Sequence, residues 1–125
     1  MEGQNIAIVG LGRIGSAFMS EMLGRSVGRI NIVCVSEVVD TPGKAEAIKA
    51  GLKVAKLHEI VAMGDQIDII FDLTGIQNVR NELRSKLLES NNNHTIIASE
   101  TIARLIWSLI SQKELPAIAG RKTGY

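Results

Sequence analysis

The sequence predicts an α/β protein built on a doubly wound parallel sheet of about five strands, ordered 3-2-1-4-5. Three observations predict it. Short aliphatic, β-branched runs alternate with longer segments of helical periodicity, joined by brief connections. The strand-like runs are apolar almost throughout instead of alternating with polar residues, as in sheets covered on both faces. The first run enters a glycine-rich turn that opens directly into a helical pattern. A chain of 125 residues is sized for one domain. We expect it over residues 1–112, with 113–125 as a loose tail.

The elements follow in order. Residues 5–9 read as strand one. A helix begins near Gly12 and carries Ala17, Phe18, Met22 and Leu23 to a stop at Gly24. Residues 30–35 read as strand two. Thr41-Pro42 starts a second helix, since threonine caps well and proline suits the first helical position; Gly51 ends it. Lys53-Val54-Ala55 reads as a short third strand, followed by a brief helix with Leu57, Ile60 and Val61 on one side and Gly64 at its close. Strand four is expected over 67–73. A helix over 76–90 places Val79, Leu83 and Leu87 on one stripe. Strand five is expected over 95–98. The last helix, 100–112, carries a stripe of Ile102, Leu105, Ile106, Leu109 and Ile110, with Trp107 off that stripe as peripheral core or partner contact. Right-handed crossovers then give the order 3-2-1-4-5 and put ligands at the carboxyl ends of the strands, where strands one and four part.

Composition narrows the function classes. The hydrophobic share is 46%, the charged share 22% and the formal net charge +1, which gives no reason to expect nucleic acid or an anionic membrane as partner. No apolar run is long enough to span a bilayer, and the start of the chain lacks the pattern of a signal peptide, so a cytoplasmic protein is expected. The single cysteine, Cys34, lies inside an apolar run and reads as a small buried hydrophobe. His58, on a short helix read as far from the strand ends, and His94 stand apart. No metal-ligand cluster and no catalytic triad is visible.

The chemistry concentrates in the segment Gly10-Leu11-Gly12-Arg13-Ile14-Gly15, a G-x-G-x-x-G between strand and helix. This arrangement grips the pyrophosphate of a dinucleotide. Gly10 makes the tight turn, Gly12 lets the backbone approach the phosphates, and Gly15 lets the helix pack closely. The helix start, through Arg13 and Ile14, offers unpaired N–H groups and a partial positive charge. The Arg13 side chain either contacts a phosphate or stays solvated. Glu37, just past strand two, is placed to accept both ribose hydroxyls of the adenosine half, with Ser36 assisting and Asp40 as a competitor. A carboxylate there repels a 2′-phosphate, which favours NAD over NADP. Asp72-Leu73-Thr74-Gly75 ends strand four. Thr74 either bonds a ribose or phosphate with Gly75 allowing close approach, or Asp72 caps the next helix and Thr74-Gly75 only turn the chain. Ser99 and Glu100, after strand five, either reach the nicotinamide edge or cap the last helix.

The glycine turn, Glu37 and the break from Asp72 to Gly75 together resemble the N-terminal NAD(P)-binding Rossmann domain of the homoserine, aspartate and inositol dehydrogenase-like group, over about residues 4–110. The glycine turn is also similar to the opening of glyceraldehyde-3-phosphate dehydrogenase, which the rest of the chain does not follow. The runs Asp72-Leu73-Thr74-Gly75, Ile96-Ile97-Ala98 and Ala103-Arg104-Leu105-Ile106-Trp107 resemble the small Rossmann domain found ahead of sensor modules in some bacterial signalling histidine kinases. In the dehydrogenases a second domain supplies the substrate pocket and the catalytic acid or base, and this chain stops where that domain would begin. The expectation is therefore an NAD-binding module without its own catalytic domain: a regulatory or sensory domain, or the N-terminal part of a longer protein with a downstream sensor or catalytic domain. One alternative is the cofactor domain of an NAD(P)-dependent oxidoreductase completed by another chain or domain. Another is a CoA- or mononucleotide-binding domain. Strand five and the last helix offer an apolar surface for a homodimer.

Overall fold

The computed structural model describes residues 3–24 and 29–110. In chain order the elements are β1 (Gln4–Val9), α1 (Arg13–Gly24), β2 (Ile30–Ser36), α2 (Pro42–Lys49), β3 (Lys53–Val54), α3 (Leu57–Ala62), a 3-10 turn (Gly64–Gln66), β4 (Ile69–Asp72), α4 (Gln77–Glu89), β5 (Ile96–Ala98) and α5 (Glu100–Ile110). The five strands form one sheet in the order β3-β2-β1-β4-β5, with every pairing parallel. This is the expected doubly wound order. The tail expected over 113–125, and the last two residues of the helix expected to reach 112, lie outside the described residues.

Successive strand residues point to opposite faces, and the core divides accordingly. Ile6 and Ile8 of β1 face one way, where they pack with Ile14, Phe18, Met19 and Met22 of α1, Ala47 of α2, and Ala103 and Trp107 of α5. Ala7 and Val9 face the other way, against Ile60 and Val61 of α3 and Leu83 and Leu87 of α4. Phe18 and Phe71 meet with ring centroids 4.8 Å apart, a tilted aromatic contact joining α1 to β4. The pairing of β1 with β2 shifts register between Ile6 and Ala7. A bulge of this kind explains why Ile32 and Val35, three residues apart, share one face of β2.

Local signals work as read at α2. Thr41 stands at the N-cap and accepts the Lys44 N–H at 3.1 Å, Pro42 is the first helical residue, and Gly51 leaves the helix at φ 81°. Two helices differ from expectation, α4 by an added buried residue and α5 by its rotation. The buried stripe of α4 is Arg80, Leu83 and Leu87, with Val79 only half-buried, because an acidic partner draws Arg80 inward. The buried residues of α5 are Glu100, Ala103 and Trp107, with Ile106 and Ile110 packed beside them. Trp107 is only 7% exposed, so it is core and not a partner contact. Ile102, Leu105 and Leu109, expected inside, are exposed. Both flanks of this helix are apolar, so periodicity alone does not fix its rotation. Small residues at Ala98 and Ala103 share the cluster with the bulky Trp107 that fills it.

Candidate functional site

The turn after β1 is held through the backbone of Gly10 and Leu11. Gly10 donates its N–H to the Ser36 carbonyl at 2.8 Å, joining the ends of β1 and β2. The Leu11 N–H donates to Glu37 Oε1 at 2.8 Å, and the Leu11 carbonyl accepts hydroxyls from Ser16 Oγ at 2.9 Å and Thr41 Oγ1 at 2.8 Å. Leu11 is thus pinned through both its N–H and its carbonyl. The next donors are not: among the described residues, no acceptor of the chain meets the N–H groups of Gly12, Arg13 or Ile14. These open α1, whose first turn carries no acidic side chain, so the helix start presents donors and partial positive charge together.

The three glycines serve different ends. Gly10 sits at φ 96°, with the backbone of Leu73 and Thr74 so close that an added Cβ would lie 2.9 Å from the Thr74 nitrogen. At Gly15 an added Cβ would collide with the Gly10 carbonyl, so its absence lets α1 close down on the turn. At Gly12 an added Cβ would meet no atom within 4 Å; the space over this residue is open.

That space belongs to a cleft of about 210 Å³ at the carboxyl edge of the sheet. Val9, Gly10, Gly12 and Arg13 form its floor and rim at the end of β1, and Ser36, Glu37 and Val38 its side at the end of β2. Leu57 comes from the start of α3. Leu73, Thr74, Ile76 and Val79 close it from the turn after β4 and the first turn of α4. Among the sequence-predicted residues, Gly10, Gly12, Arg13, Glu37 and Thr74 therefore line one cavity. Ile14, Gly15 and Gly75 do not line it. The Ile14 side chain lies in the core, leaving only its N–H for the site. Asp40 is not among the lining residues either.

Glu37 is engaged on both oxygens, with Oε2 accepting the Val39 N–H at 3.2 Å. A carboxylate oxygen has room for further donors, so ribose hydroxyls remain compatible with this geometry. Of the two readings of the turn after β4, the capping one is corrected, while Thr74 lines the cleft as the other requires. Asp72 does not cap α4, whose N-cap is Ile76 without a side-chain bond. Asp72 is 1% exposed and accepts Thr74 N–H at 3.2 Å and Thr74 Oγ1–H at 2.7 Å on one oxygen, and Arg80 Nε–H at 3.0 Å on the other. Thr74 Oγ1 in turn accepts the Ile76 N–H at 3.1 Å. Arg80, 5% exposed, is a residue that sequence reasoning missed. Its signal was the spacing of Arg80, Leu83 and Leu87, which falls on one helical face. Ser99 and Glu100 do not line the cleft; Glu100 opens α5 with its side chain buried beside Arg104, 3.4 Å from Nε.

The apolar walls Val38, Leu57, Ile76 and Val79 were also missed. Val38 and Ile76 are 92% and 54% exposed, although both are β-branched residues that directly follow a strand end or turn. His58 is another correction. It lines a second, open groove of about 660 Å³ that shares Ser36, Glu37, Val38 and Leu57 with the cleft, and so stands near the end of β2. Lys44, Lys56 and Lys86 border the same groove. Burial pushes the Cys34 thiol up to about 11, so it stays neutral and inert at ordinary pH. No group of three or more His, Cys, Asp or Glu able to hold a metal occurs among the described residues. No helix among them is long and apolar enough to cross a membrane.

No protein-family model matches the chain, and no curated protein sequence does. Solved structures do match. A homoserine dehydrogenase from Thiobacillus denitrificans is 25% identical, over 78% of this chain and 24% of that one, with a TM-score of 0.54. The apo scyllo-inositol dehydrogenase of Lactobacillus casei is 18% identical, over 86% of this chain and 32% of that one, with a TM-score of 0.57. An NAD-binding protein from Listeria innocua is 18% identical, over 84% of this chain and 31% of that one, with a TM-score of 0.52. The fold is Rossmann-like, as in these dehydrogenases. The chain spans about a quarter to a third of their length. None of these three is a signalling kinase, so that resemblance rests on the sequence pattern alone.

Proposed function

We propose that this chain binds a nicotinamide adenine dinucleotide, NAD in preference to NADP, as a binding module that contributes no catalytic side chain of its own. The observation that carries the reading is the cleft itself. Unmatched N–H groups at the start of α1, open space over Gly12 and the Glu37 carboxylate all converge on one cavity at the carboxyl edge, between β1 and β4. The topology puts the switch point of a doubly wound sheet at that place. The fit is chemical as well as spatial. Gly12, Arg13 and Ile14 would hold the pyrophosphate through backbone donors, with the Arg13 guanidinium beside them, and Glu37 would take the adenosine ribose. Thr74 would face the middle of the cofactor, and Gly15 and Gly75 would serve by shaping the two turns. The nicotinamide, when bound, would supply hydride chemistry, and the one carboxylate among the described lining residues, Glu37, is assigned to the ribose. A regulatory role follows from linkage, because a ligand that fixes the turn stabilises the folded state a partner reads. The likeness to dehydrogenases favours a second reading, the cofactor domain of a longer oxidoreductase whose catalytic groups lie elsewhere.

Calorimetric titration with NAD tests the proposal, alongside the thermal midpoint. At a hundredfold excess over Kd, binding stabilises by about 2.7 kcal/mol and raises the midpoint by roughly 10 °C. No heat and no shift at millimolar ligand rejects it. Glu37→Ala should narrow the preference for NAD over NADP by about tenfold; an unchanged ratio removes the assigned role of Glu37.

A further inference from the structure

We infer that Ser16 and Thr41 are positioning residues for the phosphates of the ligand: their hydroxyls hold the Leu11 carbonyl, aim the Gly12 N–H at the cleft, and so couple the start of α2 to occupancy of the site. The inference rests on the dinucleotide reading above and adds to it two side chains that do not line the cleft. The Leu11 carbonyl and the Gly12 N–H belong to one peptide unit. No peptide bond among the described residues is cis, and in a trans peptide these two groups point in opposite directions. Whatever fixes the carbonyl therefore fixes the N–H. The carbonyl accepts the Thr41 hydroxyl at 2.8 Å and the Ser16 hydroxyl at 2.9 Å, one for each lone pair. Thr41 is the N-cap of α2, and Ser16 lies in the first turn of α1. Both helices cover the sheet face where Ile14, Phe18 and Ala47 pack. The walls Leu57 and Val79 of the cleft pack on the other face, with Ile60 and Leu83. The carbonyl is drawn toward the first face, and the N–H turns toward the second, where Gly12 borders the cleft.

The glycine that leaves room for a phosphate also leaves this peptide free to flip, because Gly12 has no Cβ to oppose the rotation. Two hydroxyls on one carbonyl remove that freedom, since a flip breaks both bonds at once. The donor is then aimed before the ligand arrives, which lowers the ordering cost of binding. The contact between the helices is built for this. At Gly43, in the first turn of α2, an added Cβ would lie 2.8 Å from the Leu11 oxygen and would collide with Ser16 Oγ. Only a glycine there lets α2 reach the turn. Farther along, Ser20 Oγ donates to Glu46 Oε1 at 2.6 Å and ties the two helices again. Thr41 does two things with one hydroxyl. It donates to Leu11 and accepts the Lys44 N–H at 3.1 Å, so the cap of α2 and the aim of the phosphate donor share an atom. Coupling of this kind is reciprocal: if a docked α2 raises affinity by some factor, the ligand strengthens the docking of α2 by the same factor.

Calorimetric titration of the full chain and its variants with NAD tests this, together with hydrogen exchange at the Lys44 amide with and without NAD. Ser16→Ala removes one donor and leaves the cap of α2 intact, and alanine keeps α1 helical. It should weaken NAD by about three- to tenfold. Thr41→Val should weaken NAD by at least as much, and Thr41→Ser, which keeps a hydroxyl, should recover the loss. In the parent, NAD should slow exchange at Lys44 by about threefold or more; in Ser16→Ala the slowing should shrink. The inference fails while the dinucleotide reading stands if the parent binds NAD and both Ser16→Ala and Thr41→Val bind it within about twofold of the parent. It fails equally if Thr41→Ser recovers nothing, or if exchange at Lys44 ignores NAD. Absence of NAD binding by the parent removes both readings.

Discussion

The turn after β1 and the turn after β4 leave the sheet at the same edge, each with a glycine at positive φ, and they wall the same cleft. Their hydrogen bonding differs. After β1, the bonds fall on Gly10 and Leu11, and no acceptor among the described residues meets the N–H groups of Gly12, Arg13 or Ile14. After β4, Asp72, Thr74, Arg80 and Ile76 satisfy one another. The first turn leaves its next donors unmatched and the second satisfies its own. A glycine in a strand-to-helix turn is thus a poor guide to binding; what decides is whether the neighbouring donors already have partners.

The largest effect is expected in the wall. Arg80→Met leaves the Asp72 carboxylate buried without its guanidinium, and breaking a buried pair in this way costs about 3–5 kcal/mol. Urea unfolding would measure it. Adding Asp72→Asn should recover part of the loss, since the amide no longer buries a charge. A loss under about 1 kcal/mol in the single variant would show that the pair is better hydrated than its burial suggests.

The glycine turn should respond in binding and not in stability. Gly12→Val places a side chain in open space, so the unfolding free energy should stay within about 0.5 kcal/mol. The same branched side chain covers the donors and should weaken NAD by at least about a hundredfold, roughly 2.7 kcal/mol. Gly15→Ala reverses this pattern. Its methyl group meets the Gly10 carbonyl, so the turn must open, at a cost of about 1–3 kcal/mol by chemical denaturation. If both variants lose stability equally, the contrast between an open and a packed glycine is wrong.

Legibility in the sequence follows the same division. The strand order, the cap at Thr41 and the glycine turn were readable because each is fixed by local chemistry: a period, a capping oxygen, a backbone that tolerates no side chain. Arg80 was missed, and Trp107 was left between peripheral core and partner contact, because their burial depends on partners distant in sequence or on the sheet. An arginine on a helix reads as solvated until Asp72 is seen to lie beneath it. The stripe on α5 was ambiguous because Ile102, Leu105 and Leu109 are as apolar as the face that packs. Within the site, the glycine turn was legible and the apolar walls were not. Val38, Leu57, Ile76 and Val79 come from four separate places in the chain, and only folding makes them one surface.

The smallest effect is expected at the opposite edge of the sheet, where a third carboxylate sharpens the contrast with Asp72. Asp68 accepts the Asn5 N–H at 2.8 Å and lies 2.6 Å from His94 Nε2, but both side chains of that pair reach water. The Asn5 backbone bond, and then His94, hold its carboxyl below the ordinary value of 3.8. A carboxyl with a depressed folded pKa binds protons more weakly when folded. Its contribution is therefore fully present above the unfolded value and is lost as the pH falls through the lower folded one. Asp68→Asn should lower the urea midpoint slightly at pH 7, and the gap to the parent should close below about pH 4. Salt should shrink the His94 part of the effect and spare the Asn5 part, because screening acts on exposed charge pairs far more than on a short backbone hydrogen bond. The pair at Asp72 and Arg80, shielded from water, should keep its contribution in the same salt series. Equal salt sensitivity at the two sites would mean that burial does not separate them.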